Sequence, residues 1–174
     1  MSRRSRAREV ALQVLFQDDL NAGVNPAEAD EFLIRRLRGA ETLVPIPDHD
    51  PGEWVPTRSS PFATPSSLGA PRPAPSPAKA SLIEFARTLV AGVRRNRAEL
   101  DELLGKTADN WRIERMAATD RNVLRLGAFE LLYTETPGAV VINEAVELAK
   151  RYGTAQSAPF VNGILDKLLS SNRK

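Results

Sequence analysis

From Thr119 to Leu169 the chain carries three apolar stripes in succession, each at helical spacing and separated from the next by turn residues. That pattern commits the C-terminal third to packed helices, because one stripe buries its apolar face only if a neighbour folds back on it. Thr119 is placed to cap the first helix, which runs to about Tyr133 with Val123, Leu124, Gly127, Ala128, Leu131 and Leu132 on one side. Pro137 and Gly138 mark a turn. The second stripe is Ile142, Ala145, Val146 and Ala149, and Gly153 is expected to end that helix in the left-handed conformation. Ser157 offers a cap to the third helix. Pro159 falls in its first turn, where a missing N–H is harmless, and Val161, Ile164, Leu165 and Leu168 form its inner face.

The other end of the chain opens with charge: Arg3, Arg4, Arg6 and Arg8 all precede the first acid, Glu9. A guanidinium grips phosphate by two parallel charge-assisted hydrogen bonds, so this density suits a polyanion. A solvated helix start is the other reading, although cations near a helix N-terminus oppose its dipole. The helix predicted from about Ser2 or Ser5 to Leu20 turns Ala7, Val10, Ala11, Val14 and Leu15 inward, with Phe16 beside that stripe. Asn25-Pro26-Ala27-Glu28 predicts the next helix start: an Asn cap, Pro in the first helical position and a returning Glu. Phe32, Leu33 and Leu37 give that helix a short apolar face. Arg35, Arg36 and Arg38 complement the dipole at its end and read as structural or solvated.

Ten of the chain's thirteen prolines fall between Pro45 and Pro77. Proline at that density forbids helix and cannot donate to a sheet ladder. Residues 39–80 are therefore expected to form a disordered, semi-extended insert. Trp54 is a candidate to pack back on the body, and the lone histidine, His49, lies in the same stretch beside Asp48 and Asp50. Order is expected to resume at Ser81, which with Glu84 reads as a capping box. Leu82, Phe85, Ala86, Leu89, Val93, Leu100 and Leu103 predict one helix of about six turns. Gly105 is expected to end it, and a short helix from Lys106 to Met116 follows, anchored by Trp111. Arg94, Arg95 and Arg97 among Glu99, Asp101 and Glu102 read as an ion-pair surface.

What the chain lacks narrows its chemistry. Without cysteine there is no disulfide, thiolate nucleophile or thiolate metal site, and one histidine supports neither a metal cluster nor a triad in a disordered insert. No phosphate loop follows a strand, and no strand is convincing. The expectation is a non-enzyme without cofactor or metal. No apolar run approaches the ~18 residues of a membrane span, and acids interrupt the N-terminal helix, so no secretory signal is read and a cytoplasmic location is expected. The net charge of +2 says little about partners; its distribution says more.

Five segments carry a family resemblance. "RAREVALQVLFQ" (Arg6 to Gln17), "TDRNVLRLGAFELLY" (Thr119 to Tyr133), and "VINEAVELAKRYG" (Val141 to Gly153) followed by "FVNGILDKLL" (Phe160 to Leu169) resemble the opening helix and C-terminal signature of the NusB transcription antitermination factors. "FARTLVAGVRRNRAELDELL" (Phe85 to Leu104) is similar to that family's long central helix. The resemblance implies an all-α fold of about seven helices in two small packed bundles, the first containing helices one to three. It implies RNA-binding antitermination without chemistry. The factor pairs with NusE, a small-subunit ribosomal protein, and the two hold single-stranded boxA RNA of nascent ribosomal transcripts in an RNA polymerase antitermination complex. Carried onto this chain, the RNA contacts are Arg3, Arg4, Arg6, Arg8, Lys150, Arg151, Phe160 and Asn162. The partner contacts are Phe16, Asp120 and Glu130, with Phe16 standing where Tyr is common. Asp120 also fits a first-turn acid favoured by the helix dipole, and Phe160 beside an apolar stripe also fits the core. The long Pro-rich insert departs from the family's short connection. A protein-binding helical adaptor and the NusB-like module of a ribosomal RNA methyltransferase are the alternative readings; the latter needs a catalytic domain that this sequence does not contain.

Overall fold

The computed structural model describes residues 2–21, 23, 25–38, 77–109 and 112–172. The expectations for residues 39–76, with His49 and Trp54, and for Trp111 lie outside the described residues. Within them the chain forms seven α-helices: α1 (Arg3–Leu20), α2 (Pro26–Arg38), α3 (Pro77–Arg95), α4 (Arg97–Thr107), α5 (Ala118–Tyr133), α6 (Gly138–Tyr152) and α7 (Ser157–Ser171), with a 3-10 turn at Ile113–Arg115. The all-α expectation holds. Helices α1, α2 and α3 pack on one another, α4, α6 and α7 gather on α5, and α1 and α3 also lie against α5, so one core joins the two bundles.

That arrangement makes α5 the central helix and changes how its sequence reads. A one-sided stripe was the expectation, yet every residue from Asn122 to Glu130 is buried, while Leu131 and Leu132 are only half-buried. Neighbours surround α5, so its polar residues Asn122, Arg125 and Glu130 are enclosed along with its apolar ones. On α6 the buried face is Val141, Ala145, Leu148 and Ala149, with Ile142 and Val146 half-buried. The face is rotated by about one residue from the expected stripe because α6 packs against both α5 and α7. The stripe of α7, Val161, Ile164, Leu165 and Leu168, is buried as expected, and so are the five inward residues of α1.

Several boundaries differ from expectation. Pro77 begins α3, four residues before Ser81, so Ser81 is interior and caps nothing. Proline is favoured at a first helical position, and Ala78, Lys79 and Ala80 are good helix formers. The long helix is interrupted at Asn96, whose side-chain amide donates to the Gly92 carbonyl at 2.9 Å, a local bond that competes with regular helix. Gly105 lies inside α4, and the left-handed residue beyond that helix is Asp109, φ 54°. Of the helix expected from Lys106 to Met116, Lys106 and Thr107 belong to the end of α4, and among the described residues beyond it only the 3-10 turn is helical. Gly153 closes α6 in an extended conformation, φ −96° and ψ −163°. Its need for glycine is steric: a Cβ there would sit 2.4 Å from Ser157 Oγ. Ser157 is the first residue of α7 rather than its cap, and its hydroxyl accepts from the Thr154 N–H at 2.9 Å. Asn25 does cap α2, accepting from the Ala27 N–H at 3.1 Å.

One glycine sets the spacing of the two bundles. A Cβ on Gly92 would lie 2.0 Å from Cζ of Phe129, whose ring reaches α3 and stacks on Tyr133 at 5.3 Å. The ring is enclosed and cannot swing away without reopening the core. Gly92→Ala is therefore expected to destabilise the fold by about 1–3 kcal/mol, the usual range for overpacking, despite alanine's better helix propensity. Chemical denaturation checks this; a stabilised Gly92→Ala variant would show that Phe129 moves at no cost.

Candidate nucleic-acid interface

The four N-terminal arginines do not act as one group. Ser2 caps α1 by accepting from the Ser5 N–H at 3.0 Å, which starts the helix early enough to wind all four onto it. Helical spacing then sends them in different directions. Arg3 and Arg4 are exposed. Arg6 is half-buried and donates to Glu9 at 2.7 Å. Arg8 is 3% exposed and its guanidinium grips Glu130 on α5 with two bonds, 2.7 and 2.8 Å long. Its remaining neighbour of opposite charge is Glu144, 3.9 Å away. Arg8 is thus a buried structural cation, and the expectation that it contacts phosphate is corrected.

Glu9 joins the two ends of the chain. It is 4% exposed and receives Arg6 from α1, Arg151 at 3.3 Å from α6, and the hydroxyl of Tyr152. Burial alone would raise its pKa. The hydrogen bonds from Tyr152 and Arg6 and the charges of Arg6 and Arg151 outweigh burial and hold the carboxyl below its ordinary value. Glu9 therefore stays ionised beneath two partly exposed guanidiniums. The same seam continues through Ser5, whose hydroxyl donates to Glu144 at 2.8 Å. Lys150 is exposed and pairs with Glu147 at 2.8 Å. Arg6 from the start of α1 and Arg151 from the end of α6 thus meet over Glu9, and the same two helix ends carry the exposed Arg3, Arg4 and Lys150.

Phe160 and Asn162 lie on α7, which packs on α6. Asn162 is exposed, and Phe160 is half-buried with part of its ring against the core. The Phe160 N–H is spent on the Gln156 carbonyl at 3.2 Å. Further along the same face of α1, seven residues beyond Glu9, Phe16 lines a cleft of about 300 Å³ with Leu12, Gln13, Gln17, Phe32, Thr119 and Tyr152. Asp120 follows Thr119 in the first turn of α5, half-buried, and one of its carboxylate oxygens is enclosed without a hydrogen-bond partner. Glu130 is 1% exposed and belongs to the Arg8 pair. It cannot meet a partner directly, which corrects the third member of that expected surface.

Sequence reading passed over Glu9, Phe85, Glu144 and Tyr152 as functional residues. Glu9 follows Arg6 by three positions, a pairing distance on a helix, and that signal was available. The meeting of Glu9 with Tyr152, 143 positions later, was not legible locally.

A family model described as "NusB family" matches residues 67–170. The chain is 39% identical over 170 residues to the transcription antitermination protein NusB of Anaeromyxobacter dehalogenans, covering 97% of this chain and 92% of that one. It is 40% identical over 170 residues to the protein of the same name from Symbiobacterium thermophilum, covering 97% and 90%. Among solved structures, T. maritima NusB superposes with a TM-score of 0.66 at 27% identity, covering 100% of this chain and 94% of that one. The antitermination factor NusB solved with NusE and dsRNA superposes with a TM-score of 0.66 at 23% identity, covering 98% of each chain, a likeness of fold. Family model, relatives along nearly the whole chain and shared helical architecture agree: the chain belongs to the NusB family.

Proposed function

We propose that this protein is an RNA-binding transcription antitermination factor that works by assembly. It holds single-stranded boxA-type RNA together with the ribosomal protein NusE and so helps RNA polymerase resist termination. The observation that carries the RNA half is the basic edge where α1 meets α6. Half-buried Arg6 and exposed Arg151 meet there over Glu9, and the same helix ends carry the exposed Arg3, Arg4 and Lys150. Cations neutralise phosphate, while Phe160 offers a face to a base and Asn162 an amide to base edges. The partner half rests on the cleft at Phe16 and on Asp120, whose unpartnered oxygen is an acceptor in want of a donor. Among the described residues no helix is long and apolar enough to cross a membrane. Binding of boxA-like and scrambled RNA, each with and without the ribosomal partner, tests the reading. Equal affinity for both RNAs with the partner present would refute it.

Phe160→Ala bears on the same surface. Stacking on an aromatic contributes roughly 1–3 kcal/mol per base, so RNA affinity is expected to fall about five- to a hundredfold. Because the ring also touches the core, the thermal midpoint is expected to fall by a few degrees, about one to two kcal/mol at ~2–4 °C each. A large loss of midpoint with unchanged RNA affinity would return Phe160 to a purely structural role.

A further inference from the structure

Arg4 and Arg8 lie one turn apart on α1, and both guanidiniums stand over the ring of Phe85 on α3, 5.4 and 5.2 Å from its centroid. Their fates differ. Arg8 is buried and gives two of its donors to Glu130. Arg4 is exposed and, among the described residues, makes no hydrogen bond or ion pair. An aromatic ring holds a cation by its face, through the negative charge above the ring. The N–H donors of a guanidinium lie in its plane and point outward. Phe85 therefore fixes Arg4 without using one of its donors. Arg6, by contrast, has already given a donor to Glu9.

We propose that Phe85 is a positioning residue for RNA: it pre-sets Arg4 as a phosphodiester contact with its whole fork of donors unspent. This rests on the RNA-binding reading above. The support is layered. Glu130 pins Arg8, Arg8 packs on the ring, the half-buried ring is seated partly against the core, and the same ring carries Arg4. A free arginine on a helix surface loses rotamer freedom when a phosphate captures it; an arginine already laid on a ring loses less, and binding gains by that difference. Arg4 thereby becomes the strongest single phosphate contact on the basic edge.

A double-mutant cycle on the full chain tests this, with single-stranded boxA-like RNA titrated at several salt concentrations. Arg4→Ala is expected to weaken binding and to flatten the log–log salt dependence by about one unit, as for one lost phosphate contact. Phe85→Leu, which keeps apolar bulk, is expected to weaken binding about three- to tenfold in the parent. In the Arg4→Ala background Phe85→Leu is expected to have no further effect on affinity. An equal loss in both backgrounds overturns the proposal, because Phe85 would then act on RNA by another route. An unchanged salt slope in Arg4→Ala, while Lys150→Ala lowers it, overturns the proposal and leaves the RNA reading standing. Absence of RNA binding by the parent overturns both. Arg4→Lys keeps the charge but loses the planar guanidinium and its fork of donors, and it perturbs no buried group should Phe85→Leu fold poorly. It is expected to recover less than half of the affinity lost in Arg4→Ala; full recovery overturns the proposal.

Discussion

Glu130→Ala is expected to lower stability by about 4 kcal/mol, within the range of about 3–5 kcal/mol for stranding one member of a buried ion pair. For a chain of this size that corresponds to a fall of about 8–16 °C in thermal midpoint, at ~2–4 °C per kcal/mol. The reason is the environment of Arg8. Its side chain is 3% exposed, that of Glu130 is 2% exposed, and the two carboxylate oxygens take both forks of the guanidinium. Remove the carboxylate and a full charge stays in the seam between α1 and α5, with Glu144 3.9 Å off as its remaining acid neighbour among the described residues. Arg8→Leu is expected to cost a similar amount, because Glu130 is then the stranded ion. The joint replacement Arg8→Leu/Glu130→Met is the diagnostic variant. It removes both desolvated charges and is expected to be more stable than either single variant, since apolar pairs of similar volume substitute well for buried ion pairs. Urea unfolding of the parent, Arg8→Leu, Glu130→Met and the joint variant measures the coupling; strict additivity of the two single losses would mean that the pair contributes no interaction of its own.

That pair also shows where reading the sequence succeeds and where it stops. Helix identity was legible because Val161, Ile164, Leu165 and Leu168, or Ala7, Val10, Ala11, Val14 and Leu15, repeat at a period the backbone imposes. The family was legible because whole segments, from Arg6 to Gln17 and from Thr119 to Leu169, carry its residues in register. The fate of a charge was not legible. Arg4 and Arg8 have the same chemistry on the same helix, and only the position of α5 and its Glu130 makes one a buried strut and the other an exposed cation. The start of α3 was misread for a different reason. Pro77 closes a run of alternating prolines, and nothing local distinguishes a proline that ends such a tract from one that opens a helix. The breadth of α5 burial was hidden because a stripe of apolar residues reports one face, and Asn122, Arg125 and Glu130 read as the solvent side until their partners are known.

Asp19→Asn is expected to cost about 3 kcal/mol at neutral pH, because the enclosed carboxylate that three guanidiniums share is lost, and to change how stability responds to acid. Asp19 sits near the end of α1, where a negative charge is disfavoured by the helix dipole. Its side chain is 2% exposed and it gathers three guanidiniums, Arg97 from α4 and Arg121 and Arg125 from α5, together with the side-chain amide of Asn122 at 2.8 Å. Of these cations Arg125 is the most deeply enclosed, and it keeps Asp101 as a second partner, at 2.6 and 2.7 Å, which limits the loss. Burial of Asp19 would by itself raise its pKa. Hydrogen bonds from Arg121 and Asn122 and the charges of Arg125 and Arg121 prevail and hold the carboxyl below its ordinary 3.8. A carboxyl whose pKa is lower folded than unfolded contributes its full stabilisation above the unfolded value and loses it as pH falls through the folded value. The deficit of Asp19→Asn relative to the parent is therefore expected to be complete at pH ~7 and to shrink below pH ~4, as the parent's own Asp19 takes up its proton. Glu9 and Asp30, whose carboxyls are held low in the same way, keep both proteins acid-sensitive, so the difference between the two curves carries the information. Denaturant unfolding of both proteins across that pH range measures it. A deficit that stayed constant from neutral to acid pH would show that Asn at this position costs packing rather than charge.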